Sequence, residues 1–265
     1  LSTVSRPEEA PVAGREGSEI VLECRGVTKR FYHYEHRTKS LTELVVRAVK
    51  RKPIHIRRAQ FELDAIDIQI RRGDSVALIG SNGSGKSTLL RLMAGIYPVT
   101  EGVILRQGRL VAVIELGTTF QPELTGAENV VLYAAALGMT RREVAQKTPA
   151  IFEFSGVEDF ADVPLKYYST GMRSRLAFAI ASCAEPDVLL LDEILAVGDV
   201  AFQARCYDRL KEHTRRGGTL VIVSHDSKAV RRLCTTGIWV DHGRLRLQGP
   251  VDDVIAAYEA SVGTA

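Results

Sequence analysis

Cysteine is scarce and scattered in this chain. Cys24, Cys183, Cys206 and Cys234 stand far apart, and none belongs to a CxxC pair or a Cys/His cluster. That spacing argues against a zinc or dithiol centre and for isolated thiols in a reducing compartment. No apolar run approaches the roughly 20 residues that a bilayer-spanning helix needs, and no N-terminal stretch reads as a secretory signal. The chain is therefore expected in the cytosol, or at a membrane through another protein. Strong charge of one sign is also missing. A formal net charge of +3 over 265 residues does not argue for nucleic acid. There is no internal repeat. Arginine outnumbers lysine, a bias of GC-rich genomes. What remains is a globular composition, 45% hydrophobic and 25% charged, in a length that suits one large domain or a core with a small subdomain.

Residues 1–18 are polar, with Pro, Gly and Glu, and are expected to form a disordered tail. In "FELDAIDIQI", Ile66, Ile68 and Ile70 alternate with Asp67 and Gln69, the pattern of a strand with one buried face. "SVALIG", "DVLLLDE" and "TLVIVSHD" are short, continuously apolar runs, as buried parallel strands are. Helices are expected over "KSTLLRLMAGI", within about 122–182, and near "VDDVIAAYEAS". "IWVDHGRLRLQG" reads as a hairpin turning at "DHG". Strands alternating with helices imply an α/β fold with a mostly parallel sheet.

"GSNGSGKST", from Gly80 to Thr88, fits G-x-x-x-x-G-K-[ST] between a strand and a helix, the context of a phosphate-binding P-loop. In that reading the backbone of Gly80, Ser81, Asn82, Gly83, Ser84 and Gly85 closes around phosphate oxygens at a helix N-terminus, with Thr88 in its first turn. Lys86 reaches the β and γ phosphates, and the Ser87 hydroxyl is the natural Mg²⁺ ligand. "VLLLDE" then delivers two carboxylates at a strand's C-terminal end, where ligands of open α/β sheets sit. Asp192 is expected to hold Mg²⁺ and Glu193 to polarise the attacking water. "VIVSHD" brings His225 to a third strand end, for the γ-phosphate.

"YYSTGMRSRLAFAIASCAEPDVLLLDE" resembles the ATP-binding cassette (ABC) ATPases, whose LSGGQ signature precedes the Asp-Glu strand at about this spacing. Ser169 and Gly171 match its Ser and second Gly; Thr170 and Met172 depart from Gly and Gln. The resemblance covers about residues 20–250. It implies a RecA-like parallel core with an antiparallel β subdomain and a helical signature subdomain. It further implies a homodimer in which Ser169 and Gly171 bind the γ-phosphate held by the other copy, with Asp199 as the D-loop aspartate. An aromatic is expected to stack on adenine: Phe31, with Tyr32 as the alternative. A Mg²⁺-contacting Gln is usual after the strand that follows the P-loop helix. Counting back from "LTGAEN" lands near Glu115–Leu116 instead, with Gln121 downstream; Glu115 is taken as the equivalent.

"ELGTTFQPELTGAENV", "YSTGM" and "DEILAVGD" together look like one branch, the ATP-binding subunits of bacterial polysaccharide exporters. That implies a separate membrane permease, a lipid-linked glycan as cargo (O-antigen, teichoic acid or a cell-wall galactan), no nucleic acid, and a place on the cytoplasmic face of the membrane. The expected organisation is an ATP-binding domain over 19–250 and a C-terminal helix and tail over 251–265, without a carbohydrate-binding domain. "TKSLTELVVRAVKRKPIHIRR", residues 38–58, is inserted ahead of the P-loop. Ser40 and Glu43 suit a capping box. Leu41, Leu44, Val45, Ala48 and Val49 share one helical face, and basic residues crowd the rest. Such a segment suits an anionic membrane surface or the pyrophosphate of a glycan carrier. The alternatives are another class of ABC transporter and a soluble ABC ATPase. The DNA-repair type of the latter needs a long coiled-coil insertion, and the translation type usually joins two cassettes.

Overall fold

The computed structural model describes residues 19–35, 56–114, 120–193, 198–224 and 226–263. Its centre is a six-stranded sheet of order β5-β6-β7-β3-β8-β9, built from β3 (Ser75–Ile79), β5 (Leu110–Val113), β6 (Val188–Asp192), β7 (Thr219–Val223), β8 (Thr236–Asp241) and β9 (Arg244–Pro250). All neighbours pair in parallel except the β8–β9 hairpin. Both faces of this sheet are covered, which is why β3 and β7 are buried at every position. Ala77, Leu189, Leu191, Leu220 and Ile222 point into a core shared with the helices. Val76, Leu78, Val188, Leu190, Val221 and Val223 point the other way.

That second face meets an antiparallel sheet of order β2-β1-β4, from β1 (Ile20–Glu35), β2 (Ile56–Arg71) and β4 (Glu101–Arg106). The alternation expected in β2 is present: Ile66, Ile68 and Ile70 are buried, while Asp67 and Gln69 are exposed. Helix α1 (Lys86–Met93) fills the space between the two sheets with Leu89, Leu90, Leu92 and Met93. Arg106 on β4 donates to the carbonyls of Met93 and Leu92, both at 2.6 Å, so this sheet also caps the C-terminal end of α1.

One boundary differs from expectation. The β1–β2 ladder continues to the pair Glu35 and Ile56, so Arg57 and Arg58, counted above with the basic insertion, are strand residues opposite Tyr34 and His33. The ladder satisfies their backbone, which a charge count along the sequence does not report. The rest of the predicted insertion lies outside the described residues, as do the expected tail 1–18, Glu115 and His225.

The helical subdomain holds α2 (Gly126–Ala136), α3 (Arg141–Ser155) and α4 (Thr170–Cys183). Capping boxes open the first two, Thr125 with Glu128 and Thr140 with Glu143. Helix α5 (Val200–Arg215), α6 (Ser227–Leu233) and α7 (Val251–Val262) complete the chain; the last agrees with the C-terminal helix expected. The loop before α2 is pinned by Asn129, which is fully buried. Its Oδ1 accepts from the Gln121 amide, and its Nδ2 donates to the carbonyls of Gln121, Leu124 and Thr125. Such bonds are worth about 0.5–1.5 kcal/mol each net, and orphaned partners cost more. Asn129→Ala is therefore expected to lower stability by about 2–4 kcal/mol, read as a drop in the urea midpoint at constant slope. A loss under about 1 kcal/mol would mean that the loop is held by something else.

Candidate functional site

The loop that follows β3 and the C-terminal end of β6 open on one cleft. Its volume is about 210 Å³, and Asn82, Gly83, Gly85, Lys86, Ser87, Thr88 and Glu193 line it. The loop Gly80–Gly85 leaves β3 and enters α1 through Gly85, whose φ of 113° excludes most side chains. No side chain caps the N-terminus of α1, so its partial positive charge faces the cleft. Two of the loop's carbonyls are taken by its own lysine. Lys86 Nζ donates to Gly80 O at 2.9 Å and Ser81 O at 2.8 Å. Burial pulls the Lys86 ammonium below its ordinary pKa, while Glu193 and Asp192 oppose that. Ser84 Oγ is buried with no partner among the described residues.

Two of the predicted carboxylates, Asp192 and Glu193, lie at the end of β6 beside the loop. Ser87 Oγ, on the cleft lining, donates to Asp192 Oδ1 at 3.1 Å. Asp192 is half-buried, and burial raises its pKa despite the bond from Ser87. Glu193 follows with a φ of 52°, in the left-handed region, and its amide donates to Val223 O on β7 at 2.9 Å. That turn carries the side chain off the end of β6 and into the cleft lining. A hydroxyl and a carboxylate oxygen 3.1 Å apart are the hard donors that Mg²⁺ takes, so the residues present fit that ion.

Other predicted residues lie elsewhere on the chain. Ser169 is the N-cap of α4: its Oγ accepts from the Met172 amide at 3.1 Å, and Gly171 lies in the first turn. Both are exposed and outside the lining of this chain's own cleft. Asp199 is likewise an N-cap, accepting from the Phe202 amide that opens α5. Phe31 is not in the cleft lining either. Its ring meets that of Tyr97 edge-on at 5.7 Å between centroids, with Lys29 Nζ 5.1 Å above it. Gln121 is exposed, and its backbone is held by Asn129.

One neighbour of the loop is missing from the residues singled out by sequence. The β8–β9 turn packs on the P-loop, and Gly243 donates its amide to Ser84 O at 2.9 Å. The "DHG" turn is visible in the sequence, but nothing local says what it touches.

A parallel sheet with a P-loop and an acidic strand end, flanked by an antiparallel sheet and a helical subdomain, defines a nucleotide-binding domain of the ATP-binding cassette type. Two solved structures share this fold. A structure described as the ATP binding subunit of an ABC transporter superposes with a TM-score of 0.70 at 21% identity, covering 90% of this chain and 93% of that one. A dimeric post-hydrolysis ATP-binding cassette bound to ADP and Pi gives 0.66 at 21% identity, covering 87% and 98%. The family model for ABC transporters matches residues 63–196. The O-antigen export system ATP-binding protein RfbB of Klebsiella pneumoniae is 39% identical over 244 residues, 92% of this chain and 99% of that protein. The teichoic acids export ATP-binding protein TagH of Staphylococcus saprophyticus is 38% identical over 240 residues, 91% and 88% of the two chains. The chain belongs to the ABC transporter family.

The raised pKa of Asp192 has a consequence for stability. A carboxyl whose folded pKa is raised stabilises the fold only while protonated, and that contribution is lost as pH rises through the folded value. At neutral pH the ionised group is therefore a burden on the ligand-free protein. Asp192→Asn keeps an acceptor for Ser87 and is expected to raise the ligand-free melting temperature by about 2 °C at pH 7. The gain should shrink as the pH is lowered and the wild-type carboxyl protonates. Differential scanning calorimetry across an acid-to-neutral series checks this; a lower melting temperature at pH 7 would contradict it.

Proposed function

We propose that the chain is the ATP-hydrolysing subunit of a transporter that exports a lipid-linked polysaccharide across the cytoplasmic membrane. The observation that carries this is full-length similarity to proteins named for O-antigen and teichoic acid export, at 39% and 38% identity. No helix among the described residues is long and apolar enough to cross a membrane. The path for the glycan is accordingly assigned to a separate permease, two copies of which would hold a pair of these subunits at the cytoplasmic face.

In this reading the amides of Gly80–Gly85 and the N-terminus of α1 hold the β and γ phosphates of ATP. Lys86 leaves its two carbonyl partners to meet them. Ser87 and Asp192, with Glu115 beyond the described residues, would hold Mg²⁺, whose charge offsets that of the phosphates. Glu193 accepts a proton from water as the water oxygen bonds to the γ-phosphorus. The bond from that phosphorus to the β–γ bridging oxygen breaks, leaving ADP and phosphate. His225 contacts the γ-phosphate, and Phe31 or Tyr32 serves the adenine. The site is completed by a second copy, whose Ser169, Gly171 and Asp199 face the γ-phosphate from the other side. The capping geometry suits that role. Ser169 Oγ accepts from the Met172 amide, which leaves its hydroxyl proton to donate outward.

Three outcomes are expected. Glu193→Gln should bind ATP, stop turnover and accumulate ATP-bound dimers by size-exclusion chromatography; normal hydrolysis would sink the base assignment. Ser169→Asp should retain the cap, and so the melting temperature, within about 0.5 kcal/mol. It should nevertheless abolish ATP-driven dimerisation, because its charge repels the phosphate; an intact dimer would exclude the facing role. Depletion in the host, followed by mass analysis of lipid-linked glycans, should reveal one polymer accumulating inside the cell, and no accumulation would point to a different cargo.

A further inference from the structure

We infer that the β8–β9 turn, through Gly243, sets the distance between the phosphate loop and the antiparallel sheet, and so positions the two ends of ATP relative to each other. The inference rests on ATP binding at the P-loop as read above.

The turn is wedged between the two parts. On one side the Gly243 amide donates to Ser84 O at 2.9 Å. On the same side, the carbonyl of Val240 lies so close to the start of the P-loop that a Cβ on Gly80 would come within 2.1 Å of it. On the other side the Gly243 carbonyl accepts from the Asp64 amide of β2, also at 2.9 Å. Arg244 reinforces that contact with an ion pair to Asp64 at 2.8 Å. One peptide unit on each flank of Gly243 therefore ties β2 to the phosphate loop.

Gly243 is constrained twice. Its φ is +78°, and a Cβ there would lie 1.9 Å from Glu62 O. The obstructing atom is backbone, so it cannot swing aside as a side chain can. Glu62 pairs with Arg30 across the β1–β2 ladder, next to the pair Phe31 and Phe61. A side chain at 243 would push the sheet that carries the candidate adenine-stacking residue away from the loop that carries the phosphates. A ligand that spans both parts feels that displacement, whereas one that occupies only the loop does not. Gly243 is thus a positioning residue and touches no reacting atom.

The experiment compares two probes on the full chain, ATP and inorganic tripolyphosphate, by isothermal titration calorimetry. Gly243→Ala should weaken ATP by about tenfold or more, in line with the cost of ångström-scale misplacement, and change tripolyphosphate by less than about threefold. Gly217→Ala is the strain control. Its φ is +86° but nothing lies within 4 Å of its Cβ position, so it should lose thermal stability and leave both affinities as they were. Should Gly243→Ala not fold, Arg244→Ala loosens the same junction at an exposed ion pair and should move ATP alone, by about two- to fivefold. Equal weakening of both probes, or no weakening of ATP, would overturn the positioning role. Lys86→Ala separates this from the site assignment. It should weaken both probes, and if it weakens neither, the phosphate site itself is misassigned and the inference falls with it.

Discussion

A phosphate-binding loop has to be held by one set of its backbone groups and leave the other set for the ligand. Here carbonyls do most of the holding, and of the loop amides that of Ser84 is bonded internally to Ser81 O at 3.2 Å. The carbonyls of Gly80 and Ser81 take the Lys86 ammonium, and that of Ser84 takes the Gly243 amide. The N-terminus of α1 is left without a side-chain cap. An uncapped helix end costs stability in the empty protein, and the same uncapped end is what attracts an anion.

The layers around the loop follow from that arrangement. The parallel sheet delivers Asp192 and Glu193 in succession at the end of β6, and the left-handed turn at Glu193 separates their directions. Asp192 goes to Ser87, while Glu193 stays exposed on the cleft lining. Helix α1 is gripped at both ends by the antiparallel sheet, directly through Arg106 at its C-terminus and through the Gly243 turn at its N-terminus. The helical subdomain stands apart from the cleft. Ser169 and Gly171 lie on the exposed N-terminal turn of its helix α4, open to the second copy proposed above.

Some of this was readable from the chain alone because the relevant physics is local. Continuous apolar runs such as "TLVIV" are needed wherever a strand is covered on both faces, and alternation in "IDIQI" follows from a strand covered on one. The glycines and Lys86 of the P-loop pattern are close neighbours in the sequence, so the motif is local and legible there. Ser169 was readable as a match to a signature, and its role as a helix cap follows from the same residue type.

What the tertiary structure alone decided is whatever depends on two distant segments meeting. The extension of β2 back to Ile56 required the facing β1 ladder, since a run of basic residues carries no strand signal of its own. The pairing of Phe31 with Tyr97 and Lys29 joins segments that no local pattern links. The contact of Gly243 with Ser84 and Asp64 brings together residues more than 150 positions apart. A sequence reports that a glycine can adopt a positive φ; only the packed chain shows that a neighbour's carbonyl leaves room for nothing else.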